Sequence, residues 1–146
     1  MPNFENELTK AINRSFGEEG IACRRKQAKY TNQIFDILVD HPKNYIAIEC
    51  KSIKASSTNK LYWSQHFSDN QIEKESNFLK KSGRNGFLAV ELRRGRGKPK
   101  EAYLYGWLDL LDYYRTKKGI SIEDVIEFGM EVCREEGEYK IDLFQS

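Results

Sequence analysis

Ile34-Phe35-Asp36-Ile37-Leu38-Val39 and Tyr45-Ile46-Ala47-Ile48-Glu49-Cys50-Lys51 are the two stretches on which the reading of this chain turns. Both are apolar runs of strand length. Asp40-His41-Pro42-Lys43-Asn44 between them reads as a hairpin turn, because Asp, Pro and Asn punctuate strands. Side chains alternate faces along a strand, so Glu49 and Lys51 are expected to project together, with Ile48 and Cys50 on the other face. Asp36 heads the first strand and Glu49 closes the second, which sets two carboxylates and an ammonium at one sheet margin. Charges beside an apolar core cost several kcal/mol per ion unless compensated. A divalent cation would compensate them, and a cation flanked by a lysine suits phosphodiester hydrolysis.

An acid-x-Lys triplet is weak evidence alone, since a chain this charged contains about two by chance. The second here, Glu138-Tyr139-Lys140, follows the polar stretch Arg134-Glu135-Glu136-Gly137 and has no aspartate on a preceding apolar strand. It reads as a solvated strand face.

With 146 residues, 32% of them charged and 39% hydrophobic, the chain is expected to form a single domain over 1–146 with a real core and a polar surface. No apolar run approaches the roughly 20 residues that span a bilayer, and Met1-Pro2-Asn3-Phe4-Glu5 lacks a signal-peptide pattern. The expected compartment is therefore the cytoplasm, without membrane partners. Cys23, Cys50 and Cys133 are odd in number and far apart, so they read as reduced thiols. The net charge of +2 conceals an asymmetry: residues 120–146 sum to −6 and the first 119 to +8. Basic residues cluster at Arg24-Arg25-Lys26, at Lys51, Lys54 and Lys60, at Lys80-Lys81, and from Arg93 to Lys100. Basic clusters around a carboxylate site suit a polyanionic substrate, because phosphates are positioned by Lys and Arg.

Phe4, Leu8, Ala11, Ile12 and Phe16 share one helical face, which predicts a helix over 4–19 ended by Gly20. Ile21-Ala22-Cys23 opens a strand, and 26–33 reads as a loop into the Asp36 strand. After the polar stretch 52–60, Ser68 or Asp69 can cap a helix through Lys81 with Ile72, Phe78 and Leu79 inside. Residues 86–92 and 102–105 read as strands; 107–114 and 121–128 read as short helices, the last capped by Ser121 with Asp124 at the capping-box position. This order predicts an α/β sandwich on a central mixed sheet of five strands. Beside the first apolar stripe, Glu5 is either a charge favoured by the helix dipole or a member of the site, while Glu7 is expected to turn towards solvent. His41 and His66 have no partner at ligand spacing, and His66 is the better placed of the two for a DNA contact.

Taken together, these residues resemble the PD-(D/E)xK nuclease superfamily and, within it, the archaeal-type Holliday junction resolvases. Phe4-Glu5-Asn6-Glu7-Leu8 is similar to that family's first-helix motif, in which the glutamate after the apolar residue is catalytic. Asp36, thirteen residues before Glu49, and Glu49-Cys50-Lys51 match its metal-binding core. Leu61-Tyr62, Gln71 and Lys81-Ser82-Gly83 resemble its strand-loop-helix, glutamine included, and Gly119-Ile120-Ser121-Ile122-Glu123 resembles a segment near its C-terminus. Three features depart from the pattern. Gln27 to Asn32 offers only Thr31 where the family has a functional serine, the interval from Glu5 to Gly20 is longer by about one helical turn, and the turn from Arg93 to Lys100 is unusually basic.

The resemblance implies a restriction-endonuclease-like α/β/α fold and a metal-dependent endonuclease of DNA recombination and repair that resolves four-way junctions as a homodimer. It implies Glu5, Asp36, Glu49, Lys51 and Gln71 as catalytic residues. Mg²⁺, with Mn²⁺ as a substitute, would be held by Asp36, Glu49 and the Cys50 backbone carbonyl, with Glu5 acting through a water. Branched duplex DNA would lie against Arg24, Arg25, Lys26, Lys29, Thr31, Lys54, Lys60, Arg93, Arg94 and Arg96. Tyr62, Trp63, Trp107, Tyr113 and Tyr114 either build a dimer interface or belong to the core. The competing readings are a duplex- or end-directed nuclease of the same superfamily and a DNA-binding accessory protein with a vestigial site.

Overall fold

The computed structural model describes residues 3–24 and 34–141. Helix α1 spans Phe4–Phe16. The Asn3 side chain caps it by accepting the Asn6 backbone N–H at 2.9 Å, and Glu5 and Glu7 lie in its first turn. It stops at Gly17, where φ is +63°, three residues before the glycine expected to end it. Strands β1 (Ile21–Arg24), β2 (Ile37–His41) and β3 (Asn44–Lys54) form an antiparallel meander, with the β2–β3 turn where the sequence put it.

The chain then leaves the sheet through β4 (Lys60–Tyr62), α2 (Trp63–His66) and α3 (Gln71–Ser82), and returns as β5 (Asn85–Arg93), parallel to β3. A parallel neighbour requires such a crossover. Strand β6 (Glu101–Gly106) pairs back on β5, and α4 (Trp107–Thr116), β7 (Gly119–Ser121) and α5 (Ile122–Phe128) follow. Ser121 caps α5, its Oγ accepting the Asp124 N–H at 3.1 Å, as expected. The chain closes with β8 (Met130–Glu135) and β9 (Glu138–Lys140).

The fold is mixed α/β, as expected, but the sheet has seven strands in the order β1-β2-β3-β5-β6-β8-β9 rather than five. Short β4 and β7 make a separate antiparallel pair. The two additional strands of the main sheet, β8 and β9, are mostly exposed and charged, so they carry no apolar alternation to announce them. Glu138 and Lys140 do form a solvated strand face, but Tyr139 between them is 1% exposed. Its hydroxyl donates to Glu91 Oε2 at 2.6 Å, and Ser52 Oγ donates to the other Glu91 oxygen at 2.7 Å. That pairing pins the end of the sheet to the interior of β5.

Two apolar clusters contain the faces of β3. Ile46, Ile48 and Cys50 pack with α1 residues Phe4, Leu8 and Ile12, while Ala47 and Ile53 pack with Ile72, Trp107, Leu110 and Val125 from α3, α4 and α5. Four of the five aromatic residues weighed for an interface join the second cluster, Tyr62 being the exception: Trp107 is 2% exposed and bonds Ser76, and Trp63, Tyr113 and Tyr114 pack against the cluster. No helix among the described residues is long and apolar enough to cross a membrane.

Tyr139→Phe leaves one buried Glu91 oxygen without its donor. It should lower unfolding free energy by about 1–3 kcal/mol in urea titrations, and an unchanged midpoint would show that the pairing does not hold the sheet end.

Candidate active site

The alternation of β3 delivers what its sequence promised. Glu49 and Lys51 emerge on the face of Ala47, and Lys51 Nζ sits 3.2 Å from Glu49 Oε2. The ammonium also lies 4.5 Å from the centroid of the Phe67 ring, whose electron-rich face holds it. Asp36 extends the β2–β3 ladder by one residue: its N–H donates to Ile48 O at 2.9 Å, and its Oδ2 accepts the Cys50 N–H at 2.8 Å. That second bond places the Asp36 carboxylate alongside Glu49.

Gln71 joins from the first turn of α3. Its Oε1 accepts the Ser68 N–H at 2.9 Å, which orients the amide so that Nε2 faces the sheet and donates to Glu49 Oε2 at 2.9 Å. The same Nε2 is 3.2 Å from Glu75 Oε1, and Glu75 Oε2 accepts the Phe35 N–H at 2.9 Å. Helix α3 begins at Gln71; its N-cap is Asn70, in left-handed backbone and without a side-chain cap bond, so neither Ser68 nor Asp69 caps it as expected, and the Gln71 side chain turns back to Ser68 instead.

Glu5 points from α1 to Arg24, with Oε2 3.1 Å from the guanidinium, and its charge reaches Asp36. Arg24 also donates to Asn6 Oδ1 at 3.0 Å. Glu7 does not turn to solvent as expected. Its side chain is 17% exposed against 28% for Glu5, and it lies between Arg134 (3.7 Å) and Lys100 (4.0 Å). The reason is β8, which brings Arg134 over the flank of α1.

The electrostatics are those of crowded acids. Burial, then the charge of Glu49, push Asp36 up to about 7, against the opposing pull of the Cys50 N–H and Lys51. Burial, then Glu49, push Glu75 up to about 10. Burial, then Asp36 and Glu49, also hold the Cys50 thiol well above its usual value, so it is inert. Among the described residues no three His, Cys, Asp or Glu side chains form a metal-holding group. The donor set is two carboxylates beside a strand backbone.

The predicted DNA-binding residues divide. Arg25, Lys26, Lys29 and Thr31 lie outside the described residues, as does the loop 26–33. Lys54 and Arg96 are exposed, Lys60 lies 5.9 Å from the Tyr62 ring centroid, and Arg93 donates to Ser52. Arg94 is engaged by Glu101 at 2.6 Å, and Arg24 by Glu5. His41 stacks on Phe16 in the β2–β3 turn, and His66 Nδ1 lies 3.1 Å from the Tyr62 backbone nitrogen. Glu75 escaped the sequence reading. Its signal was a glutamate in the apolar stripe of α3, three residues after Ile72 and four before Leu79.

Both raised carboxyls hold protons in the folded chain that the unfolded chain releases above the ordinary values of 3.8 and 4.5. The stability they contribute is complete below those values and is lost as pH rises, through about 7 for Asp36 and about 10 for Glu75. Metal-free protein should therefore melt at falling temperature as pH rises from about 5 to 8, and Asp36→Asn should flatten that fall. Equal slopes for the two chains would remove Asp36 from the account.

No family model matches the chain, and no curated protein sequence matches it. Among solved structures, Hjc from Archaeoglobus fulgidus, a Holliday junction resolvase from an archaeal hyperthermophile, aligns with a TM-score of 0.63 and 25% identity. The match covers 88% of this chain and 93% of that one. The likeness to archaeal-type Holliday junction resolvases read from the Glu5, Asp36 and Glu49-Cys50-Lys51 motifs thus holds across the three-dimensional fold.

Proposed function

We propose that the chain is a metal-dependent endonuclease that resolves four-way DNA junctions, acting as a homodimer. The observation that carries this reading is the convergence on Glu49: its Oε2 meets Lys51 at 3.2 Å and Gln71 at 2.9 Å, beside an Asp36 carboxylate tied to the Cys50 N–H. The alignment with an archaeal resolvase over nearly the whole of that chain supports the junction as substrate. The Lys51 ion pair and the oriented Gln71 amide around Glu49 argue against a vestigial site.

The residues fit a hard divalent cation. Asp36, Glu49 and the Cys50 carbonyl are oxygen donors of the kind Mg²⁺ or Mn²⁺ takes, and the burial and the Glu49 charge that together raise Asp36 are what such a cation would offset. When bound, the ion supplies Lewis acidity at the scissile phosphate and favours ionisation of a water. Lys51 places a positive charge where the phosphorane gathers negative charge, as the water oxygen bonds to phosphorus and one ester oxygen departs. Gln71 holds Glu49 in place through its oriented amide. Glu5, across from Asp36, orients the attacking water. Lys54, Lys60, Arg93 and Arg96 provide phosphate contacts, and two sites related by a twofold axis match the two cuts a junction requires.

A labelled four-way junction and a linear duplex of matched sequence, each incubated with the protein in Mg²⁺ and in EDTA, test the reading. Junction cleavage in Mg²⁺ alone is expected. Equal cleavage of the duplex would favour a general nuclease.

Asp36→Asn and Glu49→Gln should each abolish cleavage, by about three orders of magnitude or more, while junction binding in EDTA stays intact or tightens. Cutting at near wild-type rate by either chain would overturn the metal assignment.

Glu5→Gln should lower cleavage at nearly unchanged stability, whereas Glu7→Gln should lower stability through Arg134 and keep cleavage. Melting curves and single-turnover rates on the two chains read this directly, and the reverse pattern would exchange the roles.

A further inference from the structure

Helix α3 carries a carboxyl where its inward stripe calls for an apolar side chain. Glu75 is 1% exposed, beneath Ile72 and the second apolar cluster. Burying such a group without partners costs several kcal/mol, and both of its oxygens are occupied. Oε2 accepts the Phe35 N–H at 2.9 Å; Oε1 lies 3.2 Å from Gln71 Nε2, the nitrogen that also donates to Glu49 Oε2. Glu75 therefore bonds directly to the residue preceding Asp36 and, one side chain removed, to Glu49.

The backbone at Phe35 shows why a clamp is needed there. Its φ is +59°, a left-handed conformation rare for a bulky side chain and costing on the order of 1–3 kcal/mol. The ring is fully buried and held by Trp107 and Phe78, with centroids 5.2 and 5.8 Å away. The aromatic contacts fix the side chain. The Glu75 bond fixes the Ile34–Phe35 peptide plane, from which the left-handed bend turns the chain into Asp36.

We propose that Glu75 is a positioning residue of the candidate active site, whose single carboxyl clamps the left-handed bend that delivers Asp36 and, through Gln71, the orientation of Glu49. It touches no substrate and acts through those two carboxylates. The proposal rests on the nuclease reading above and adds to it a residue outside the Asp/Glu-x-Lys motif.

The test compares Glu75→Leu, which keeps the volume and removes both acceptors, with Glu75→Gln, which keeps an acceptor for the Phe35 N–H. Glu75→Leu should lower the single-turnover rate and raise the half-saturating Mg²⁺ concentration, each by about 10–100-fold. Junction affinity in EDTA should stay within about twofold, because phosphate contacts lie elsewhere. In DNA-free protein the Phe35 amide, slow to exchange with solvent in the wild type, should exchange quickly in Glu75→Leu. Glu75→Gln should bring the Phe35 amide protection back to within about threefold of wild type, since it preserves the backbone acceptor, while rate and Mg²⁺ requirement recover only in part, because its NH2 faces the Gln71 Nε2 donor.

A folded Glu75→Leu chain that cuts at the wild-type rate and Mg²⁺ requirement would overturn the role. So would a Glu75→Gln chain that loses all cleavage while the Phe35 amide stays protected, because the bend would then not be what Glu75 serves. Should the leucine chain not fold, the glutamine chain decides alone: retained cleavage, or cleavage and amide protection lost together, supports the clamp. A wild-type chain that cuts no junction would overturn the nuclease reading instead, while Phe35 exchange in the DNA-free variants would still report whether the clamp exists.

Discussion

Acidic groups crowded at one margin of the sheet are the constraint to which the rest of this structure responds. Asp36, Glu49 and Glu75 are largely removed from water, and Glu5 is within electrostatic reach of Asp36. At an effective dielectric of about 20, two like charges about 4 Å apart repel by about 4 kcal/mol, comparable to a large part of a small domain's net stability. The fold meets this with fixed donors: the Cys50 and Phe35 N–H groups, the Gln71 amide and the Lys51 ammonium. Proton uptake by Asp36 and Glu75 relieves what remains. The cation proposed above would relieve the same repulsion.

The strand order serves that arrangement. Strand β3 lies between antiparallel β2, which supplies Asp36 in register, and parallel β5, whose crossover supplies α3 with Gln71 and Glu75. A hairpin from β3 to its next neighbour would have left no helix to meet Glu49. With α1 against one face and α3 to α5 against the other, Ile46, Ala47, Ile48, Cys50 and Ile53 of β3 are buried in two apolar clusters, and these clusters provide the rigidity that keeps charged groups within hydrogen-bonding distance. The acidic C-terminal region has a structural use as well: β8 and β9 complete the sheet, Arg134 engages Glu7, and Tyr139 engages buried Glu91.

The sequence by itself determined the local elements whose cause is local. Period-two alternation put Glu49 and Lys51 on one face of β3, the Asp40 to Asn44 stretch made the turn, and Ser121 capped α5. Strand patterning put Asp36, Glu49 and Lys51 together, and the resemblance to the nuclease motifs added Glu5 and Gln71. Other features depend on partners distant in the chain, and only the tertiary structure decided them. Strands β8 and β9 exist because β6 offers an edge, which is invisible in a charged and largely exposed segment. Glu7 is half-buried because Arg134 arrives from 127 residues away, and Arg94 is taken by Glu101 across a turn that reads only as basic. Glu75 is the clearest instance. A glutamate in an apolar stripe looks like a fault in a helix until the fold brings the left-handed Phe35 peptide to its oxygens, because hydrogen-bond satisfaction is a property of the assembled interior and not of spacing along the chain.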